Sequence, residues 1–265
     1  MAFFIGANAS DNMRCKFLKS CTLVAFGFLS VLIEESLQGL NSGFPTCKVN
    51  EPEFQACLDK AIEGGIKFLK KGLPGYNLAA LEPFTLPSLQ IGAGEGAVHL
   101  VQNYKDVMIH GFTDVIVNNS HVDLEKKTLS FSTFHPRLSQ NSEYDINGKI
   151  LVLPVRGKGP SFLTLENLFS NHVLQFDETQ KDGKTYWVPK DYSLKMYPNH
   201  ATYKFDNLFD GNKLLGDNIN ELINKEWMTI FEDVGQGYAA AYAKIFLSYA
   251  KKIFGKAPIN EIFMK

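Results

Sequence analysis

The chain has 265 residues, enough for one large domain or two small ones with a sizeable buried core. Hydrophobic residues make up 45% and charged residues 21%, the balance of a folded globular protein. The formal net charge is −1 and Lys and Arg are spread thinly, which excludes a phosphate-tracking surface, so no nucleic-acid partner is expected.

The N-terminus reads as a secretion signal. Arg14, Lys16 and Lys19 precede an apolar run of 13 residues, Cys21–Ile33, too short for a transmembrane helix. Cleavage is expected near Gly39, so residues 1–39 are assigned to the signal and 40–265 to the mature domain. Residues 1–12 carry no positive charge, and Met13 makes a tidier start, which marks 1–12 as an upstream extension. Cys15 and Cys21 leave with the signal. Cys47 and Cys57 remain, and an even pair in an oxidising compartment reads as one disulfide. Secreted, extracellular localisation follows, with no stable membrane insertion.

The first mature element is predicted to be a helix capped by Asn50, with Pro52 in its first turn. Phe54, Leu58, Ala61, Ile62, Ile66 and Leu69 share one face, and Gly72 then Pro74 end it. Residues 73–97, rich in Gly and Pro, are predicted to be an irregular connector. Gly92, Gly94 and Gly96 in it lack the spacing and βαβ context of a dinucleotide fingerprint.

From about 97 to 206 the apolar period switches to two, as in Val107/Ile109, Val115/Val117, Leu129/Phe131 and Tyr144/Ile146. Turns are predicted at Asn118-Asn119, Asn147-Gly148, Gly157-Lys158-Gly159, Asp182-Gly183 and Pro198-Asn199. This is a long antiparallel meander with one wet and one dry face. Asn118-Asn119-Ser120 is a glycosylation sequon within one of these turns. Helical spacing then runs from Ile219 to Ile253; a continuous helix from Asp217 to Phe254 would span roughly 55 Å at 1.5 Å per residue, with a kink at Gly235 and Gly237.

Four stretches carry a family resemblance. They are the Cys47…Cys57 pair, Ile109-His110-Gly111-Phe112, and Tyr144-Asp145-Ile146-Asn147-Gly148-Lys149-Ile150 running into Leu153-Pro154-Val155-Arg156-Gly157-Lys158-Gly159. The fourth is Phe205-Asp206-Asn207-Leu208-Phe209-Asp210-Gly211-Asn212-Lys213-Leu214-Leu215-Gly216-Asp217, leading to Asn220, Asn224 and Trp227. Over residues 44–265 the chain resembles the takeout and juvenile-hormone-binding protein family of arthropods, part of the wider lipid-carrying group that includes the bactericidal/permeability-increasing proteins. The resemblance implies an α+β fold, a long N-terminal helix wrapped by a strongly curved antiparallel β-sheet, with a long C-terminal helix and an apolar tunnel. It implies a terpenoid, fatty-acid-like or quinone-like ligand. No cysteines remain for the second disulfide of the hormone-binding branch, so the takeout-like branch is the nearer match.

The 21 phenylalanines, with 2 Trp and 10 Tyr, fit either a Phe-rich core or rings around a cavity. Given the resemblance, the expected ligand wall is Phe112, Phe131, Phe134, Tyr144, Phe205, Phe209, Trp227, Phe231, Tyr238 and Tyr242. Tyr144 and Tyr242 are candidates to orient a polar end of the guest. Small residues on the long helices, Gly64, Gly65 and Ala239–Ala241, remove volume from the contact surfaces.

Catalytic signals are weak. His99, His110, His121, His135, His172 and His200 are scattered, with no HExxH or other metal-ligand spacing. There is no GxSxG elbow, and Gly157-Lys158-Gly159-Pro160-Ser161 lacks phosphate-loop spacing. No cofactor, no metal and no enzymatic activity are expected. A soluble carrier of a small hydrophobic ligand is the leading reading. A protein that docks on a membrane or receptor through its amphipathic C-terminal helix is the alternative, and an ester hydrolase ranks below it.

Overall fold

The computed structural model describes residues 47–264. The expected signal, the start at Met13 and the boundary at Gly39 lie outside the described residues. In chain order the elements are β1 (Cys47–Lys48), α1 (Phe54–Phe68), β2 (Phe84–Ile91), β3 (Val98–His110), β4 (Ile116–Asp123), β5 (Thr128–Ile150), β6 (Leu153–Lys181), β7 (Lys184–Tyr197), β8 (His200–Phe205), α2 (Lys213–Lys225), α3 (Trp227–Phe254), α4 (Ile259–Ile262) and β9 (Phe263–Met264). This is an α+β protein with one large antiparallel sheet, as expected.

The sheet is organised by one hairpin. β5 and β6 pair along their whole common length, from Thr128↔Gln175 to Ile150↔Leu153. At the end near Ile150 they are flanked by β2–β3 on one side and β8 on the other. At the end near Thr128 they are flanked by β4 and β7. The two halves are offset by a change of phase. Along β5 the buried positions are Leu129, Thr133 and His135, then Gln140, Ser142, Tyr144 and Ile146. Odd numbers give way to even at Pro136–Arg137. β6 does the same across Glu166–Asn167, between Leu163/Leu165 and Leu168/Ser170/His172, and Asn167 takes a positive φ. A pleated strand puts alternate residues on opposite faces, so a phase change requires a local kink in the ladder.

The allocation of the helices differs from the sequence expectation. The helix on the concave face is the C-terminal one, α3. It packs on β7 and β8 and also reaches β2 and β3, strands from opposite edges of the sheet. A sheet whose two edges meet one helix is strongly curled. α3 is pinned by Asp233, whose carboxylate accepts hydrogen bonds from the backbone N–H groups of Gly96 (2.8 Å) and Val98 (2.6 Å). A Cβ on Gly94 would fall 2.0 Å from that carboxylate, so the glycine-rich loop is a close-packed clasp rather than a loose turn.

α1 is 15 residues long and lies beside β4 rather than inside the curl. It starts at Phe54 without a side-chain cap, so Asn50 does not serve as one. Asp59 and Glu63, one helical turn apart, accept from the backbone N–H groups of Ser120 and Val117 on the outer edge of β4. α2 covers the edge of β8 by the same means. Asn220 accepts from Phe205 N–H (2.8 Å) and donates to Phe205 C=O (2.9 Å), while Asn224 does both with Tyr203 (2.8 and 2.7 Å). Open strand edges invite mispairing, and each helix satisfies one with i,i+4 side chains.

Several local expectations are corrected. Residues 73–97 contain β2, whose Pro87 is tolerated because its other side is an edge. Asn147-Gly148 and Gly157–Gly159 are not turns but interior positions of β5 and β6. Their glycines are there for close approach: a Cβ on Gly148 would meet His99 O at 2.5 Å, and one on Gly157 would meet the Tyr144 hydroxyl at 2.5 Å. Asn118-Asn119 is an irregularity within β4, with Asn118 exposed. The C-terminal helix breaks at Glu226 and is continuous through Gly235 and Gly237.

Cys47 and Cys57 form a disulfide, and β1 pairs in parallel with β9, tying the first described residues to the last. A solid cluster of Leu58, Leu129, Leu174, Phe176, Trp187, Ala250 and Phe263 closes this end of the curl. Replacing Asn224 by Ala leaves the N–H and C=O of Tyr203 without these partners. The unfolding free energy in urea is expected to fall by about 1–3 kcal/mol, and no loss of stability would contradict the edge-capping role.

Candidate functional site

A row of aromatic side chains runs along the face of α3 turned to the sheet. Tyr238, Tyr242 and Phe246 follow one another at i+4 spacing, with ring centroids 6.5 and 6.2 Å apart. Phe231 lies two turns further back, beyond Gly235. A Cβ at Gly235 would sit 2.9 Å from the Phe231 ring, so the glycine lets that ring lie flat along the helix. Opposite this row, the inward side chains of β5, β6 and β7 do not reach the helix everywhere.

The result is a narrow chamber with a cavity volume of about 60 Å3. Its apolar wall includes Ile109, Leu163, Leu165, Leu168 and Leu194. Leu194, Met196 and Phe231 are shared with a second, wider groove between β7 and α3, about 930 Å3 and open to solvent. The groove's α3 side is formed by Gly235, Ala239, Ala240 and Ala243, so small helix residues do leave space where it meets the sheet. The chamber and the groove therefore adjoin at the β7–α3 seam, with Leu194, Met196 and Phe231 between them.

One part of the wall is polar. Thr133, His135, Gln140, Ser170 and His172 line the chamber from β5 and β6. His172 is bonded at both ring nitrogens, to Thr133 Oγ1 (3.0 Å) and to the Tyr192 hydroxyl (2.8 Å), and stacks on Phe131 with centroids 4.6 Å apart. His135 Nε2 lies 3.2 Å from Phe112 O. The Tyr242 hydroxyl donates to Gln140 Oε1 (3.1 Å). Deeper, Tyr238 donates to the Tyr104 hydroxyl (2.9 Å), which donates to Gln102 Oε1 (2.8 Å).

Burial sets the charge state of this wall. Desolvation lowers the His135 pKa to about 4, against smaller opposing effects of the Phe112 carbonyl and Asp114. Desolvation, with a smaller repulsion from His135, lowers His172 to about 3. Burial pushes Tyr104 up to about 12 and raises Tyr192, Tyr238 and Tyr242 as well. The chamber is thus uncharged at neutral pH.

Of the ten aromatic residues expected at the wall, Phe112, Phe231, Tyr238 and Tyr242 line the chamber. Trp227 lines the groove, and Phe131 stands behind the wall against His172. Phe205 is buried beside a separate small cavity with Tyr203, Ile223 and Ile230. Tyr144 packs edge-on to Phe205, its hydroxyl spent on Asp206 O at 2.7 Å. Phe209 starts a short 3-10 turn packed against the main core. Phe134 points to the outer face and pairs with the exposed Phe169. His110 sits 3.5 Å from Glu82, away from the chamber. Phe246, His135 and His172 belong to the wall, although the sequence reading did not single them out.

An apolar, uncharged chamber held between a curled sheet and a single helix has the chemistry that suits a small hydrophobic molecule. The family model for haemolymph juvenile hormone binding protein matches residues 21–264, and the chain belongs to this family of hydrophobic-ligand carriers. The circadian clock-controlled protein daywake of Drosophila yakuba is 27% identical over 256 residues, covering 92% of this chain and 96% of that protein. A putative beta-carotene-binding protein of Schistocerca gregaria is 24% identical over 127 residues, 47% of this chain and 49% of that one. The crystal structure of Takeout 1 from Epiphyas postvittana is similar with a TM-score of 0.75 at 25% identity, covering 83% of this chain and all of that one. Among the described residues no helix is long and apolar enough to cross a membrane.

Both histidines titrate near 6.5 when unfolded and only near 4 and 3 when folded, so below pH 6.5 protons bind the unfolded chain more readily. The stability that comes from keeping them neutral is complete above pH 6.5 and is lost as pH falls toward 4. At one pKa unit per ~1.4 kcal/mol, each ring accounts for roughly 3 kcal/mol across that window. Urea unfolding at stepped pH is expected to show this slope, and His135→Gln/His172→Gln is expected to flatten it; an unchanged slope in the double variant would contradict the assignment.

Proposed function

We propose that this protein is a secreted, non-enzymatic carrier that holds one small hydrophobic molecule in the chamber between α3 and strands β5–β7. The observation that carries this reading is the chamber itself, apolar over most of its wall and adjoining a groove open to solvent. The guest is a terpenoid, fatty-acid-like or quinone-like molecule, contacted by Phe112, Phe231, Tyr238, Tyr242 and Phe246. The name of the Schistocerca gregaria relative, a putative beta-carotene-binding protein, supports an isoprenoid class of guest. Secretion is supported by the basic and apolar pattern of residues 14–33, and the mature domain is then 40–265, with Asn118 as an exposed glycosylation acceptor.

The energetics suit such a role. A guest burying about fifteen carbons gains on the order of 12 kcal/mol at ~0.8 kcal/mol per methylene. Lost translation, rotation and polar desolvation offset a large part. Dissociation constants from low micromolar to nanomolar remain.

Docking on a membrane or receptor is the second reading, favoured by the exposed Leu214 and Leu215 in the first turn of α2 and Met228 in the first turn of α3. Liposome co-sedimentation of the ligand-free protein tests it, and that protein remaining in the supernatant counts against it.

Native mass spectrometry of the secreted protein, with extraction of what travels with it, is expected to find an apolar small molecule released chemically intact. Met196→Trp, placed where chamber meets groove, is expected to slow association of a fluorescent fatty acid about tenfold. Absence of any guest together with no binding of the fluorescent fatty acid would overturn the carrier reading.

A further inference from the structure

We propose that the chamber selects guests bearing an un-ionised hydroxyl, and that Nδ1 of His135 accepts the hydrogen of that group. The inference rests on the carrier reading and specifies the polar end of the guest. It follows from which proton the His135 ring carries. Its Nε2 lies 3.2 Å from the carbonyl oxygen of Phe112. A carbonyl accepts and cannot donate, so Nε2 holds the hydrogen and Nδ1 presents a bare lone pair.

That lone pair has no partner in the fold. Among the described residues, the buried side-chain nitrogen and oxygen atoms without a hydrogen bond are Gln102 Nε2, His135 Nδ1 and Tyr203 Oη. Of these three residues, His135 is the one on the chamber wall. The ring is 5% exposed. Of its polar neighbours on the wall, His172 is occupied at both nitrogens, Tyr242 and Gln140 bond each other, and Gln140 bonds Ser142, while the hydroxyls of Ser139 and Ser170 complete the polar patch. Buried polar groups are almost always paired, and an unpaired one on a residue of a cavity wall marks where a guest can complete the set.

At this one atom the geometry also ranks the guest classes, placing a hydroxylated guest above quinone-like and fatty-acid-like ones, which bind without this contact. Ethers, ketones and esters offer lone pairs against a lone pair. A carboxylate does the same and brings a charge into an uncharged, largely apolar space, and a buried charge without a counter-charge is strongly disfavoured. An ammonium head meets the same penalty. A hydroxyl donates its hydrogen and keeps the apolar body in the rest of the chamber. Selectivity here is the difference between a completed and a frustrated contact at one atom.

Hexadecanol, its methyl ether and hexadecanoic acid test this by displacement of a fluorescent apolar probe from the purified protein at neutral pH. The alcohol is expected to bind about tenfold more tightly than the ether, the ratio given by one hydrogen bond of ordinary strength, and the ionised acid more weakly than the alcohol. In His135→Phe the alcohol-to-ether ratio is expected to fall to near unity with ether binding retained, which shows the chamber intact. In His135→Gln, whose amide oxygen accepts, part of the preference is expected to return. In the unmodified protein the nitrogen-15 resonance of His135 Nδ1 is expected to move on adding the alcohol and to stay in place on adding the ether. Equal affinities for alcohol and ether, tightest binding by the acid, or a preference that survives in His135→Phe would overturn the inference while leaving a carrier standing. Failure of the probe and all three compounds to bind would overturn the carrier reading with it.

Discussion

A single helix has to serve as the core for a sheet far larger than itself. β5 has 23 residues, about 75 Å of strand at ~3.3 Å per residue, whereas the 28 residues of α3 span about 42 Å at ~1.5 Å per residue. A flat sheet of that length would leave most of its apolar face in water. The sheet curls instead, and the phase changes at Pro136–Arg137 and Glu166–Asn167 let two very long strands bend together without losing their pairing. Curling brings both flanks of the sheet to α3, but it also gives the concave face more inward-pointing surface than one helix can meet. Where α3 carries Gly235, Ala239, Ala240 and Ala243, the mismatch is left open as the groove, and beside it the aromatic row borders the chamber.

The rest of the structure keeps that space from collapsing. One end is closed by the cluster around Phe176 and Trp187, tied by the disulfide and the β1–β9 pairing. At the other end α2 hydrogen-bonds the edge of β8 through Asn220 and Asn224, fixing where α3 begins. The clasp from the Gly96 and Val98 amides to Asp233 holds α3 at its middle. These are polar, directional contacts at the margins of an apolar space. They set the separation of helix and sheet more sharply than apolar packing does, because a hydrogen bond fails over a fraction of an ångström while oily contacts adapt.

Much of this was legible in the sequence, and the exceptions have physical causes. The switch from period two to helical spacing located the sheet and α3, and the helical spacing put Phe231, Tyr238 and Tyr242 on one face of α3. The same row leads on to Phe246. Phe131 and Phe134 were read together as wall residues, but residues three apart on a strand face opposite ways, and only Phe131 points inward. Gly148 and Gly157 looked like turns because glycine is common there; they serve instead where another chain segment passes within contact distance. Pro87 hid β2. His135 and His172 were read one at a time as scattered histidines. Their signal was phase: each occupies the inward register of its strand, His135 after Leu129, Phe131 and Thr133, and His172 between Ser170 and Leu174. A histidine on the buried phase of an otherwise apolar strand points to a polar feature inside. The phase changes themselves were not visible, because apolar alternation continues on both sides and only pairing shows that the faces have exchanged.

The central claim is that helix and curled sheet enclose a space meant for something other than the protein's own side chains. A crystal structure grown with a brominated long-chain guest tests it most directly, because anomalous scattering places the bromine independently of the rest of the map. The expected result is a guest lying along Phe231, Tyr238, Tyr242 and Phe246, inside β5–β7, with Leu194 and Met196 at its point of entry. A chamber filled by Leu168, Phe231 and Tyr238 themselves, with the bromine on the outer surface or absent, would contradict the account.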